Sequence, residues 1–124
     1  EHIEDDAGEL RQAAALLRPG GRIIVLAPAH QSLFSPFDAA IGHFRRYDRA
    51  SLSRISPCRL ERMFFLDSVG LFASAANRLL LRQSMPTLGQ IQTWDRWIIP
   101  VSRVMDPLLG FRAGKTIVGI WRKT

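Results

Sequence analysis

The sequence predicts an α/β chain in which parallel strands are closed by an antiparallel final strand, and three observations carry that expectation. A capped amphipathic helix at the start runs into a glycine turn. A continuous apolar pentapeptide, Ile23 to Ala27, follows, and such a run belongs to a strand covered on both faces. The chain then alternates helix and strand before ending on a strand that follows a long helical insertion.

The first helix has Asp6 as its expected N-cap, with Glu9 three residues on in a capping-box spacing. Leu10, Ala13, Ala14 and Leu17 recur at i, i+3, i+4 and i+7, so one face can pack on a sheet. Pro19 cannot continue the helix and Gly20-Gly21 can turn the chain. A buried strand needs neighbours at its edges, and both later strand candidates follow it. The expectation is therefore that the chain is the second part of a larger domain, with the edge of the first strand paired or blocked.

His30 to Asp48 has mixed polarity and no sustained period, so it reads as a loop. Loops that leave the carboxyl end of a strand in α/β sheets are where ligands bind. Asp48 caps a short helix, Arg49 to Ser56, stopped by Pro57. Cys58 to Leu66 reads as a strand with a bulge near Arg62. Helical spacing returns from Val69 to Arg82, broken at Met85-Pro86. A further helical stretch puts Trp94, Trp97, Ile98, Val101, Met105 and Leu108 on one side and Asp95, Ser102, Arg103 and Asp106 on the other, with kinks at Pro100 and Pro107. Lys115 to Arg122 is the last strand. The 124 residues make one unit, with a helical insertion over about 84–113.

The net charge is +6, and five of the eleven acidic residues fall in the first nine positions. Fifteen of the seventeen basic residues are Arg, scattered and without interleaved aromatics, which argues against nucleic-acid binding. The single Cys58 permits no internal disulfide and no cysteine metal cluster, fits a reducing compartment, and reads as a core residue. No metal-ligand set stands out, and the apolar stretch from Val69 to Leu81 is too short to span a bilayer. The expected location is cytoplasmic. The Trp94 to Leu109 stretch reads as core, with a lid over a lipophilic acceptor or a peripheral membrane contact as the other readings.

Four segments resemble the C-terminal half of class I S-adenosylmethionine-dependent methyltransferases of the methyltransferase type 11, or UbiE-like, kind. Glu1-His2-Ile3 with Asp5-Asp6 is similar to the family's segment after strand four, and Leu17-Arg18-Pro19-Gly20-Gly21 to its turn before strand five. Asp38, Gly42-His43 and Arg45-Arg46-Tyr47 resemble a loop of a subset of the family, and Gly114-Lys115 with the strand to Arg122 resembles the closing strand. The resemblance implies a Rossmann-like seven-stranded sheet, of which this chain supplies strands five, six and seven, the last antiparallel between the other two. It implies S-adenosyl-L-methionine as cofactor, a small lipophilic or anionic acceptor, and little activity in this chain alone. The family's glycine-rich cofactor loop has no counterpart here, since Gly20-Gly21 precedes a strand.

Glu1 and His2 would then lie beside the cofactor, with His2 and His43 as candidate bases, because imidazole titrates nearest working pH. His30, Asp38, Arg45, Arg46 and Tyr47 are the candidate acceptor-side residues, Arg being suited to bidentate capture of an anion. The same cluster also reads as a loop pinned by ion pairs, Arg46 to Asp38 or Asp48, over a packed Tyr47. The competing function is a non-catalytic half-domain that joins a partner chain or a second copy through its open strand edge.

Overall fold

The computed structural model describes residues 1–80 and 87–124. Its first helix, α1 (Asp6–Leu16), leads into β1 (Arg22–Pro28). After a 3-10 turn (Gln31–Leu33) come the short helices α2 (Pro36–Ala40) and α3 (Arg49–Arg54), then β2 (Arg59–Leu66). Helix α4 (Ser68–Leu80), α5 (Leu88–Thr93), a π-helical turn (Trp94–Ile98) and α6 (Ile99–Leu108) precede β3 (Thr116–Arg122). The expected end of α4 at Arg82 and the Met85-Pro86 break lie outside the described residues.

The three strands form one sheet of order β1-β3-β2. β3 is antiparallel to both neighbours, so β1 and β2 run in the same direction. The expected bulge lies between Leu60 and Arg62. One sheet face carries the core: Ile23 and Ala27 of β1, Phe65 of β2, and Ile117 and Trp121 of β3 are buried with Ala14 of α1, Ala29, Tyr47 and Leu52. Gly119 belongs to this face because a Cβ there would run into the Trp121 indole, which folds back over it. Leu10, Ala13 and Leu17 seat α1 on this core. Lys123 ties down the end of α1 by donating to the carbonyls of Ala14 and Leu17, each at 2.8 Å.

Four sequence expectations need correction. The N-cap of α1 is Asp5, whose Oδ1 accepts from the Gly8 N–H at 2.9 Å; Asp6 is unavailable because its carboxylate is taken by Tyr47 and Arg45. β1 is covered on one face only: Ile24 and Leu26 are 66% and 63% exposed, since α1 packs on the opposite side with Ile23 and Ala27. The stretch read as a loop contains α2, started by Ser35 at the N-cap, Pro36 in the first turn and a capping box to Asp38.

The fourth correction concerns the stretch from Trp94 to Leu108, where two residues of the polar side, both in α6, pack inward and much of the apolar side is exposed. Ser102 and Asp106 are buried, whereas Trp97, Val101, Val104 and Leu108 are exposed. The reason is the start of α4, whose backbone donors need acceptors. Asp106 accepts from the N–H groups of Asp67 and Ser68, both at 2.8 Å, and Ser102 Oγ from Val69 at 3.2 Å. Asp67 Oδ1 accepts from Gly70 at 3.0 Å, so the first turn of α4 is fully satisfied. A Cβ at position 70 would collide with the Asp67 carboxylate, which explains the glycine. Among the described residues no helix is long and apolar enough to cross a membrane.

Candidate functional site

The segment between β1 and α3 is held at its root by a bridge from Ala29 to Tyr47. Paired backbone bonds, His30 N–H to the Tyr47 carbonyl (2.8 Å) and Tyr47 N–H to the Pro28 carbonyl (2.9 Å), close it into a loop beyond the carboxyl end of β1. Asp38 is its centre and is 1% exposed. Its Oδ2 accepts from the Ser35 N–H at 2.9 Å and the Ser35 hydroxyl at 2.8 Å. Arg46 grips the same carboxylate with both arms, Nε to Oδ1 at 2.9 Å and Nη2 to Oδ2 at 3.0 Å. His43 Nδ1 lies 3.0 Å from Oδ1 and, facing a carboxylate, is the donor. Burial pushes the Asp38 carboxyl up, but the hydrogen bonds from Arg46, Ser35 and His43 outweigh it and hold it below the usual carboxylate range.

A second pair pins the far side of the loop to α1. The Tyr47 hydroxyl donates to Asp6 Oδ2 at 2.7 Å, and Arg45 Nη1 approaches the same oxygen at 2.7 Å. Burial, then the bond to the Asp6 carboxylate, pushes the Tyr47 phenol up to about 12. Burial acts to raise the Asp6 carboxyl, while Tyr47 and Arg45 pull it lower, with a net downward shift.

Glu1, His2 and His43 meet at the open side of this frame. The Phe44 N–H donates to the Glu1 carbonyl at 2.8 Å, which docks the amino-terminal strand of chain against the loop. The His2 and His43 rings are 4.5 Å apart, edge to face. His2 Nδ1 donates to the Gly42 carbonyl at 3.3 Å, and His43 Nε2 faces Glu1 Oε1 at 4.0 Å. One ligand atom from each of the three residues falls within 4.8 Å of the others, a grouping for which the sequence showed no signal beyond the residue types.

A neighbouring group forms where β1 and β2 end and β3 begins. His30 takes φ 63° and its Nε2 lies 2.9 Å from the Gly114 carbonyl, with its ring stacked on Phe65. Lys115 Nζ lies 4.2 Å from the centre of the Trp94 ring, and Trp94 Nε1 donates to Asp67 Oδ2 at 3.3 Å. Burial, then the charge of Arg46, pushes the Lys115 ammonium down, and Asp67 and Asp38 only partly restore it.

The structure thus assembles all the expected site residues around one loop but gives them different freedom. Asp38, Arg46, Arg45 and Tyr47 are engaged with partners inside the chain, as the ion-paired reading of the loop has it. His2, His43 and Glu1 present side chains toward one another. His30 joins the adjacent group, not theirs. Lys115 and Asp67 were not singled out from the sequence; a lysine straight after Gly114 at the head of an apolar strand was the available signal. Compared with family models, curated proteins and solved structures, the chain matches none.

Proposed function

We infer that this chain is the acceptor-side portion of a class I S-adenosylmethionine-dependent methyltransferase of the UbiE-like type, acting on a small lipophilic or anionic acceptor. The observation that carries this reading is the sheet: β3 runs antiparallel between two strands of common direction, and β1 leaves one face and one edge without a partner among the described residues. Ile24 and Leu26, opposite Ile120 and Val118 in the ladder, form an apolar surface suited to a further helical layer. That layer, with a strand beside β1, would make the sheet Rossmann-like and bring the cofactor loop.

The chain has no G-x-G following a strand, and its residues do not by themselves form a cradle for S-adenosylmethionine. The cofactor supplies an electrophilic methyl group. What this chain contributes is acceptor-side: His43, whose Nδ1–H is fixed by Asp38, can accept a proton at Nε2. Arg46 and Tyr47 are positioning residues that hold the loop in which His43 sits. Lys115, with its weakened hold on a proton, faces the same end of the sheet.

A lipophilic acceptor and a contact with the membrane surface are supported by exposed apolar residues of the π-helical turn and of α6. Trp97 and Leu108 there are 62% and 75% exposed. Arg96, which lies over the Trp97 ring, and the exposed Arg103 and Arg112 of the same stretch suit anionic headgroups. Co-sedimentation with anionic liposomes is expected to fall in Trp97→Ala/Leu108→Ala; pelleting equal to the parent removes the membrane contact.

Calorimetric titration of S-adenosylmethionine tests the main reading. The chain alone is expected to bind weakly or not at all, and the full open-reading-frame product to bind saturably. Absence of binding to the full product contradicts the reading and favours a non-catalytic half-domain that assembles through β1.

A further inference from the structure

We propose that Glu1, His2 and His43 form a two-histidine, one-carboxylate site for a divalent transition-metal ion; the proposal rests on the geometry of these three residues alone, and a bound ion would take up the His43 Nε2 lone pair that the methyl-transfer reading uses to accept a proton. Three features of the geometry point there. The three side chains each offer a ligand atom within 4.8 Å of the other two. Around one zinc, ligand atoms at about 2.0–2.2 Å from the metal lie roughly 3.3 Å apart in tetrahedral geometry. Closing the cluster onto an ion therefore shortens these separations by up to about 1.5 Å, which half-exposed Glu1 and exposed His2 can accommodate by rotation.

The second feature is the state of the imidazoles. His43 Nδ1 donates to Asp38, and His2 Nδ1 donates to the carbonyl of Gly42. In both rings the lone pair is consequently left on Nε2, and for His43 that nitrogen is the one turned toward Glu1. Metal-binding histidines characteristically give their other N–H to a carboxylate or a backbone carbonyl, which fixes the tautomer and raises ligand basicity. Here one ring has each kind of partner.

The third feature is rigidity on one side. Asp38 cannot swing to become a ligand itself, because Ser35 and Arg46 occupy its oxygens. It orients His43 while Arg46 balances its charge. The donor set of two nitrogens and one oxygen suits zinc, and equally iron(II) or nickel(II), and leaves coordination positions open to solvent or an acceptor oxygen.

The test is competition between the chelator-stripped chain and a chromophoric zinc indicator, with zinc chloride as titrant. One equivalent is expected to bind with a dissociation constant below about 10 µM. His2→Ala, a change at an exposed side chain that is expected to leave the circular dichroism unaltered, and His43→Ala should each weaken binding by about 100-fold or more, and Asp38→Asn by about 10–100-fold through His43. Cys58→Ser should bind as the parent does. With cobalt(II), visible d–d absorption should appear in the parent and vanish in His2→Ala/His43→Ala. No binding, binding that persists in folded His2→Ala, or binding lost in Cys58→Ser would overturn the proposal.

Discussion

Two buried carboxylates, Asp38 and Asp106, hold two parts of this molecule by different means. Asp38 answers a cation: Arg46 covers it bidentately, and Ser35 and His43 complete its shell. Asp106 answers a helix end, accepting the first N–H groups of α4 from across the packing of α6. The first carboxylate organises a charged loop at the carboxyl end of β1, the second locks two helices together and, by facing inward, turns the apolar side of α6 outward. Ion pairing builds a site, whereas capping builds a scaffold.

If that contrast holds, the largest effect of truncation falls on the ion pair. Asp38→Ala strands Arg46 with its guanidinium nearly buried, and chemical denaturation should show a loss of roughly 3–5 kcal/mol. Because the folded-state carboxyl is held below its ordinary range, its contribution is complete above the unfolded value of about 3.9 and disappears as pH falls through the folded-state pKa. Urea midpoints of the parent should thus drop with acid in that window, and Asp38→Asn should flatten this part of the profile.

Asp106→Ala is expected to be milder, costing about 1–3 kcal/mol for the buried Ser68 donor, since the Asp67 N–H is only part-buried and can turn to water, with hydrogen exchange accelerating at the start of α4 and not at the loop. A loss as large as that of Asp38→Ala would erase the distinction. The smallest change belongs to Tyr47→Phe, which removes one hydrogen bond to Asp6 while keeping the packed ring, at about 1 kcal/mol by thermal melting.

Local signals were readable wherever one residue acts on its own turn. Asp48 caps α3, the β2 ladder slips between Leu60 and Arg62, and β3 follows the Gly114 turn, all as the residue types suggest. The Ser35-Pro36 start of α2 was equally local but was hidden within a stretch lacking apolar periodicity. What could not be read depends on distant partners. Asp6 has both the type and the spacing of an N-cap, and only the arrival of Tyr47 and Arg45 from some forty residues away hands that role to Asp5. Helical periodicity divides α6 into two sides without saying which turns inward; the donors of α4 decide it. His2 and His43 were legible as reactive types, but their edge-to-face meeting beside Glu1 follows from the docking of the first residues on the loop.

β1 is the element on which the functional account depends most, because its bare face and open edge are what a larger sheet would cover. Hydrogen–deuterium exchange on the full open-reading-frame product, read at the β1 amides that point away from β3, tests this directly. Slow exchange there, together with rapid exchange at the same amides in the isolated chain, is the predicted result. Rapid exchange in both would mean that nothing pairs with β1, and the chain could not be the middle of a methyltransferase sheet.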